Sequence, residues 1–385
     1  MPARIVAVAG EVSGDHQGGG LIAALRRARP ELHVSAVGGP AMAAAGADVL
    51  IDSTRWGVIG YAEAYARLPV FAVRFWRVAR LIERLRPELL LLVDFPGMNR
   101  ELVARFSGRL PIAYFFPPQT YGRRGASASR MARAAVRLLA VFPFEAEAYR
   151  RAGADVVYVG HPAVDEAAAA APREASRAEW GIRDAPLIGV LPGSRAQEVR
   201  ALLPAMLAGV RDLARSQPIR CVLPLAAPHL GPAAAAAAEA AGVDVLVVVG
   251  RALDVMAASD AVVVASGTAP LEAACLGTPM VIVYRVSATT EWIARRFVLA
   301  PGMERIGFSI PNIVLGRRAI PEVLQREVTG PHIRDELSRL LRDGGRRQRA
   351  DLAEVRERLG PGGALARAAG EVIRLLDTQA APTIR

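Results

Sequence analysis

The chain has 385 residues, 52% hydrophobic and 22% charged, which suits two domains with substantial cores and excludes a disordered polypeptide. All 48 basic residues are arginine, against 37 acidic ones, for a net charge of +11. With no lysine there is no Walker-A lysine, Schiff-base lysine or pyridoxal phosphate anchor, and the two cysteines, Cys221 and Cys275, have neither CxxC nor Cys/His spacing, so neither a zinc site nor a disulfide framework is expected.

The positive charge favours an anionic partner. The arginines are spread along the chain and no nucleic-acid-binding motif occurs, so nucleic acid ranks last among such partners. The first residues enter a strand pattern at once, with no apolar signal segment or cleavage site, and no apolar run reaches 18 residues. The expectation is a cytoplasmic protein that contacts a membrane surface at most peripherally.

In chain order, residues 4–9 (RIVAVA) read as a buried strand that ends in Gly10-Glu11-Val12-Ser13-Gly14-Asp15-His16, followed by Gly18-Gly19-Gly20 and a helix. This glycine-rich turn lacks GxGxxG spacing, so a dinucleotide site is not indicated. Glu11 and Asp15 are instead carboxylates at a strand's carboxyl end, where α/β folds bind ligands. A second strand is expected at 32–37. In 69–86, Phe71, Phe75, Val78, Ile82 and Leu85 recur at helical spacing, while Arg74, Arg77, Arg80 and Arg84 lie opposite with Val73 and Trp76 among them. That pattern fits either an interfacial helix or a solvated one whose tryptophan lies over arginine stems.

The run LLLLV at 89–93 leads into Asp94. A carboxylate at the tip of a buried strand is desolvated, which raises its pKa and suits it to accept protons; a helix cap or an ion pair is the other reading. Further strands are expected at 111–116, 137–142 and 156–159. Residues 166–186, rich in alanine, charge and proline, read as a link. A second set of strands follows at 187–191, 220–223, 243–249, 261–265 and 279–284. After the first of these, Pro192-Gly193-Ser194-Arg195 opens a helix, placing a guanidinium where it can clamp a diphosphate, or leaving Ser194 as a plain cap. The stretch ASGTAPLEAACLG at 265–277 runs from strand to helix through Ser266-Gly267-Thr268, a shape that offers N–H groups and a helix dipole to a phosphate, with Glu272 as acceptor for a ribose diol. An ordinary capped crossover is the alternative. Residues 330–376 read as arginine- and glutamate-rich helices.

Near-continuous apolar strands alternating with helices predict an α/β protein of two doubly wound, Rossmann-like domains facing across a cleft, 1–165 and 187–345, with C-terminal helices at 346–385 that pack on the first domain or on a partner chain.

Several stretches, taken in order, resemble the lipid-A-disaccharide synthase family of inverting GT-B glycosyltransferases: AGEVSGDHQGGGLIAALR, VDFPGMN, VFPFEAEAYRRAGADVVYVGHPAVD, LPGSRAQEVRALLP, ASGTAPLEAACLGTPMVIVYRVS and SIPNIVLGRRAIPEVLQREVT. The resemblance implies transfer from UDP-2,3-diacylglucosamine to 2,3-diacylglucosamine 1-phosphate, forming a β-1,6 disaccharide and UDP, without cofactor or metal. It implies Asp94 as general base and Glu11 near the acceptor. Ser194, Arg195, Ser266, Gly267, Thr268, Glu272, Arg285 and Asn312 would form the donor site. Val58, Val73 and Trp76 would contact the cytoplasmic face of the inner membrane, and a homodimer is left open. A UDP-sugar epimerase and a non-catalytic UDP-sugar-binding protein are the competing readings. The chain departs from the family at 117–124 (PPQTYGRR, where the family has tryptophans) and at Gly97, which the family tends to make acidic; both lie on the acceptor side.

Overall fold

The computed structural model describes residues 4–54, 56, 68–120, 126–134, 136–286 and 303–380. The chain divides into two compact units. The first takes the described residues within 1–162 and 361–380, the second those within 163–286 and 303–360.

The first unit is built on seven parallel strands: β1 (Arg4–Ala9), β2 (His33–Gly38), β3 (Asp48–Asp52), β4 (Leu89–Val93), β5 (Ile112–Phe115), β6 (Arg137–Ala140) and β7 (Val156–Tyr158). Their order is β3-β2-β1-β4-β5-β6-β7. The chain leaves β1 on one side and returns on the other at β4, so the strand order reverses between these two neighbours. Every residue of β4 is buried, as expected of a central strand covered by helices on both faces. Phe71 and Phe75 of helix Leu68–Leu85 pack against this core, and Val78, Ala79 and Ile82 are fully buried in it, as the helical spacing predicts.

The second unit repeats the plan with β8 (Leu187–Leu191), β9 (Arg220–Leu225), β10 (Leu246–Val249), β11 (Ala261–Ala265), β12 (Met280–Tyr284) and β13 (Glu322–Leu324), in the order β10-β9-β8-β11-β12-β13. Here the reversal falls between β8 and β11. Helix Ala196–Ala214 buries Leu203, Met206, Leu207 and Val210 on the sheet.

Two expectations about the chain's course need correction. Residues 166–186 are not a free link, because helices Ala163–Ala168 and Arg173–Glu179 belong to the second unit. Arg173 and Arg177 both bond to Asp260, at 2.6 and 3.3 Å, which ties this segment to the β11 side of the sheet. The C-terminal helices do not form one piece either. Helix Arg346–Arg358 stays with the second unit, while Ala364–Ala380 belongs to the first and packs on helix Glu11–Ala28. Arg29 holds Asp377 through both carboxylate oxygens at 2.7 Å, and Arg137 holds Glu371 at 2.8 Å.

β3 and β13 are absent from the sequence-based expectation. Both are edge strands, and β3 alternates exposed and covered residues instead of forming an apolar run.

Candidate active site

In the first unit Ala9 pairs with Val93, so the segments that leave β1 and β4 emerge side by side where the strand order reverses. In open α/β sheets that position is the ligand crevice. Glu11 follows β1 and Asp94 follows β4. Both have left-handed backbone, with φ of 66° and 48°, as do Phe95 (50°) and Phe116 (54°), the latter just after β5. Of the six non-glycine residues with positive φ among those described, four therefore cluster at three adjacent strand ends. Such strain costs about 1–3 kcal/mol per residue and persists only where the surroundings enforce it, commonly at functional sites.

The enforcement is visible. The Asp94 N–H donates to the Phe115 carbonyl at 2.9 Å. Its carbonyl accepts from Asn99 Nδ2 at 2.7 Å and from the Tyr114 hydroxyl at 2.8 Å. The Phe95 ring lies flat on the Gly10 backbone, where a Cβ would come within 2.5 Å of it. With its backbone so fixed, the Asp94 carboxyl is raised to about 6, first by desolvation and then by the negative charge of Glu11. This arrangement suits a general base near neutral pH.

Asp15 does a different job from the one its position suggests. It is buried and accepts from the N–H groups of Gly39 (2.7 Å), Ala41 (2.9 Å) and Met42 (3.1 Å), so it caps helix Pro40–Ala44. Three backbone donors occupy it, and it holds β2's exit loop against the first helix.

Sequence reasoning missed a buried polar cluster below Asp94. Asn99 is fully buried, with Oδ1 unpartnered. Tyr149 donates its hydroxyl to the Pro118 carbonyl. Glu145 is 2% exposed, and burial pushes its carboxyl up to about 8. His161 is held neutral, lowered to about 3 by burial, and its ring meets Phe116 edge-on at 5.3 Å and Phe142 at 5.0 Å. The sequence signal was PFE at a helix start directly after β6, which reads as an ordinary acidic first turn.

In the second unit Leu191 pairs with Val264, so loops 192–195 and 266–268 adjoin at that sheet's reversal point. Gly193 has φ of 106°, and a Cβ there would run into Glu198. Glu198 accepts the Arg195 N–H at 3.3 Å and bonds its guanidinium at 3.1 Å, which fixes Arg195, not Ser194, at the cap position of the following helix. The Arg195 side chain is 46% exposed, so an anion can reach it. Across the reversal, Thr268 precedes helix Ala269–Leu276 without a side-chain cap bond, Ser266 and Glu272 are half-buried, and open space surrounds Gly267 where its Cβ would be. The two loops thus present small residues, helix N-termini and a guanidinium on one sheet edge, which is anion-binding chemistry.

Two residues assigned to substrate are engaged elsewhere. Asn312 is fully buried: Nδ2 donates to the Ile320 carbonyl and Glu322, and Oδ1 accepts from the N–H groups of Ala319 and Ile320. Its amide is saturated and shapes the turn into β13, leaving nothing for a ligand. Arg285 donates to the carbonyls of Ala201, Gln325 and Val328, at 3.2, 3.3 and 2.6 Å, so it clamps backbone segments of the second unit. On helix Leu68–Leu85, Val73 is 70% and Trp76 48% exposed, with the Arg105 guanidinium 4.9 Å above the Trp76 ring. Val58 and residues 121–124 lie outside the described residues. No helix among the described residues is long and apolar enough to cross a membrane.

Two parallel doubly wound units of this kind make up the GT-B fold. Solved structures share this fold. S. aureus MnaA with UDP aligns at TM-score 0.62 with 13% identity, over 96% of this chain and 95% of that one. A putative UDP-N-acetylglucosamine 2-epimerase from Listeria monocytogenes aligns at 0.63 with 15% identity, over 100% and 98%. The calicheamicin glycosyltransferase CalG4 aligns at 0.60 with 19% identity, over 98% of each. Sequence narrows the class. The family model for lipid-A-disaccharide synthetase matches residues 5–365, and the chain belongs to that family. The lipid-A-disaccharide synthase of Myxococcus xanthus is 38% identical over 381 residues, covering 97% of this chain and 98% of the relative. That of Geobacter sulfurreducens is 37% identical over 382 residues, covering 98% of each. The chain is therefore a glycosyltransferase of lipid A biosynthesis using UDP-sugar chemistry, and the epimerase alternative is not favoured.

Proposed function

We propose that the enzyme joins UDP-2,3-diacylglucosamine to 2,3-diacylglucosamine 1-phosphate at the cytoplasmic face of the inner membrane. The observation that carries the mechanism is Asp94, held at the β4 end beside Glu11 with its carboxyl raised to about 6. Asp94 takes the proton of the acceptor 6-hydroxyl as that oxygen attacks C1 of the donor from the face opposite UDP. The C1–O bond to the diphosphate breaks and the configuration inverts. Glu11 keeps Asp94 basic through like-charge repulsion. Charge developing on the leaving diphosphate is met by Arg195 and the helix starts after loops 192–195 and 266–268, with Ser194, Ser266, Gly267 and Thr268 lining its path, and Glu272 accepts from the ribose diol.

The acyl chains and the membrane meet the exposed side of helix Leu68–Leu85 around Val73 and Trp76. A homodimer forms part of the same proposal. Purified protein mixed with both diacyl substrates in detergent is expected to yield the disaccharide 1-phosphate and UDP by mass spectrometry. No product, despite thermal stabilisation by UDP, would refute the acceptor and retain the donor.

A further inference from the structure

Glu145 has no part in the transfer chemistry described above, yet it sits where it can govern that chemistry. It lies in the first turn of helix Pro143–Arg151 and accepts a hydrogen bond from the Thr120 backbone. Its Oε1 is buried without a hydrogen-bond partner. The described ionisable group whose charge acts on it is Asp94, which has the same sign. A carboxylate with one backbone donor, an orphaned oxygen and a like charge nearby is poorly stabilised, whereas the neutral acid costs far less to bury.

The same helix carries Tyr149, whose hydroxyl bonds the Pro118 carbonyl. Two side chains of one helix thus hold segment 116–120, which begins beside the β4 end that carries Asp94. We propose that Glu145 is a positioning residue, held as an uncharged carboxylic acid that fixes segment 116–120. This rests on Asp94 being the general base.

Among the described residues, the titratable and charged groups that face the cluster are Asp94 and Glu11 at the β4 and β1 ends, Tyr114 on β5, Arg100 on helix Pro96–Phe106, Arg130 on helix Ala126–Ala132, which packs on the Glu145 helix, Tyr149 on its own helix and His161 after β7. Burial keeps both tyrosines neutral well into alkaline pH and keeps His161 neutral above acid pH. Glu145, pushed up to about 8, changes charge at the upper edge of neutrality.

The test is kcat and KM across about pH 5 to 9.5 for the wild type, Glu145→Gln, Glu145→Ala and Asp94→Asn, with both diacyl substrates in detergent. The wild type is expected to lose activity below about pH 6 and above about pH 8. Glu145→Gln keeps the acceptor for the Thr120 N–H and carries no charge; it should retain most of the activity at pH 7 and lose the alkaline fall. Glu145→Ala should lower kcat on the order of tenfold or more, with a smaller change in donor KM. An unchanged alkaline fall in Glu145→Gln, a Glu145→Gln protein that does not fold, or wild-type kinetics in Glu145→Ala would each overturn the proposal. An active Asp94→Asn would overturn the base assignment on which the proposal rests, and this failure is distinguishable because the acid limb reports on Asp94 and the alkaline limb on Glu145.

Discussion

A carboxylate in water has a pKa of about 4 and is a feeble base at neutral pH. Asp94 is lifted to about 6 by burial and by Glu11, so the carboxylate form that takes a proton is present at pH 7 and lost as pH falls through 6. Asp94→Asn should lower kcat by about 10²–10⁴ while UDP binding measured by calorimetry persists; loss of UDP binding would sink the base assignment. Gly10 matters for a different reason. Phe95 occupies the space a Cβ would need, so Gly10→Ala must push the ring and shift Asp94 next to it. The expected cost is about 1–3 kcal/mol by denaturation, with kcat falling more than UDP affinity. The sequence made Asp94 and Glu11 visible because both lie at the ends of apolar runs. It could not distinguish Asp15, three N–H donors of another loop away from reactivity, or reveal that Asn312 is saturated by the turn it closes.

Helix Leu68–Leu85 carries two jobs on two faces. Val78, Ala79 and Ile82 are sealed in the core, while Val70, Val73 and Trp76 are 46%, 70% and 48% exposed among arginines. Apolar groups beside cations suit an anionic lipid surface. Val73→Glu should cut co-sedimentation with anionic vesicles by about tenfold and leave the melting temperature unchanged; unaltered vesicle binding would remove this helix from the membrane contact. At this scale the sequence predicted well wherever an element is buried on both faces, as in β4 and β11. It failed at β3 and β13, whose pairing on the sheet edges depends on the neighbour strand more than on their own composition.

At the scale of the whole molecule, the buried cluster writes itself into pH stability. Glu145 is protonated in the fold up to about 8 but ionises in the unfolded chain near 4.5, so between those values the unfolded state binds fewer protons and stability falls as pH rises. Asp94 acts in the same direction, but only up to about 6. His161, lowered to about 3, acts the opposite way, and its effect levels off about one pH unit above its unfolded value of 6.5. Between about pH 7 and 8, therefore, Glu145 is the largest contributor of these three. Melting temperature should drop across that window in the wild type, on the order of 5 °C, and stay flatter in Glu145→Gln; equal slopes would mean that Glu145 is already ionised at neutral pH.

The sequence by itself determined two parallel α/β units, the loops at their strand ends and the family, because buried strands, turn residues and helix starts are local signals. It placed the candidate base and the anion-binding loops for the same reason. Only the tertiary structure decided that the last helix returns to the first unit, that residues 166–186 are bound to Asp260, that Arg285 and Asn312 serve the scaffold, and that Glu145 lies buried within the electrostatic reach of Asp94. Each of these depends on contacts between residues far apart in the chain, where burial and hydrogen-bond geometry, not residue type, set the chemistry.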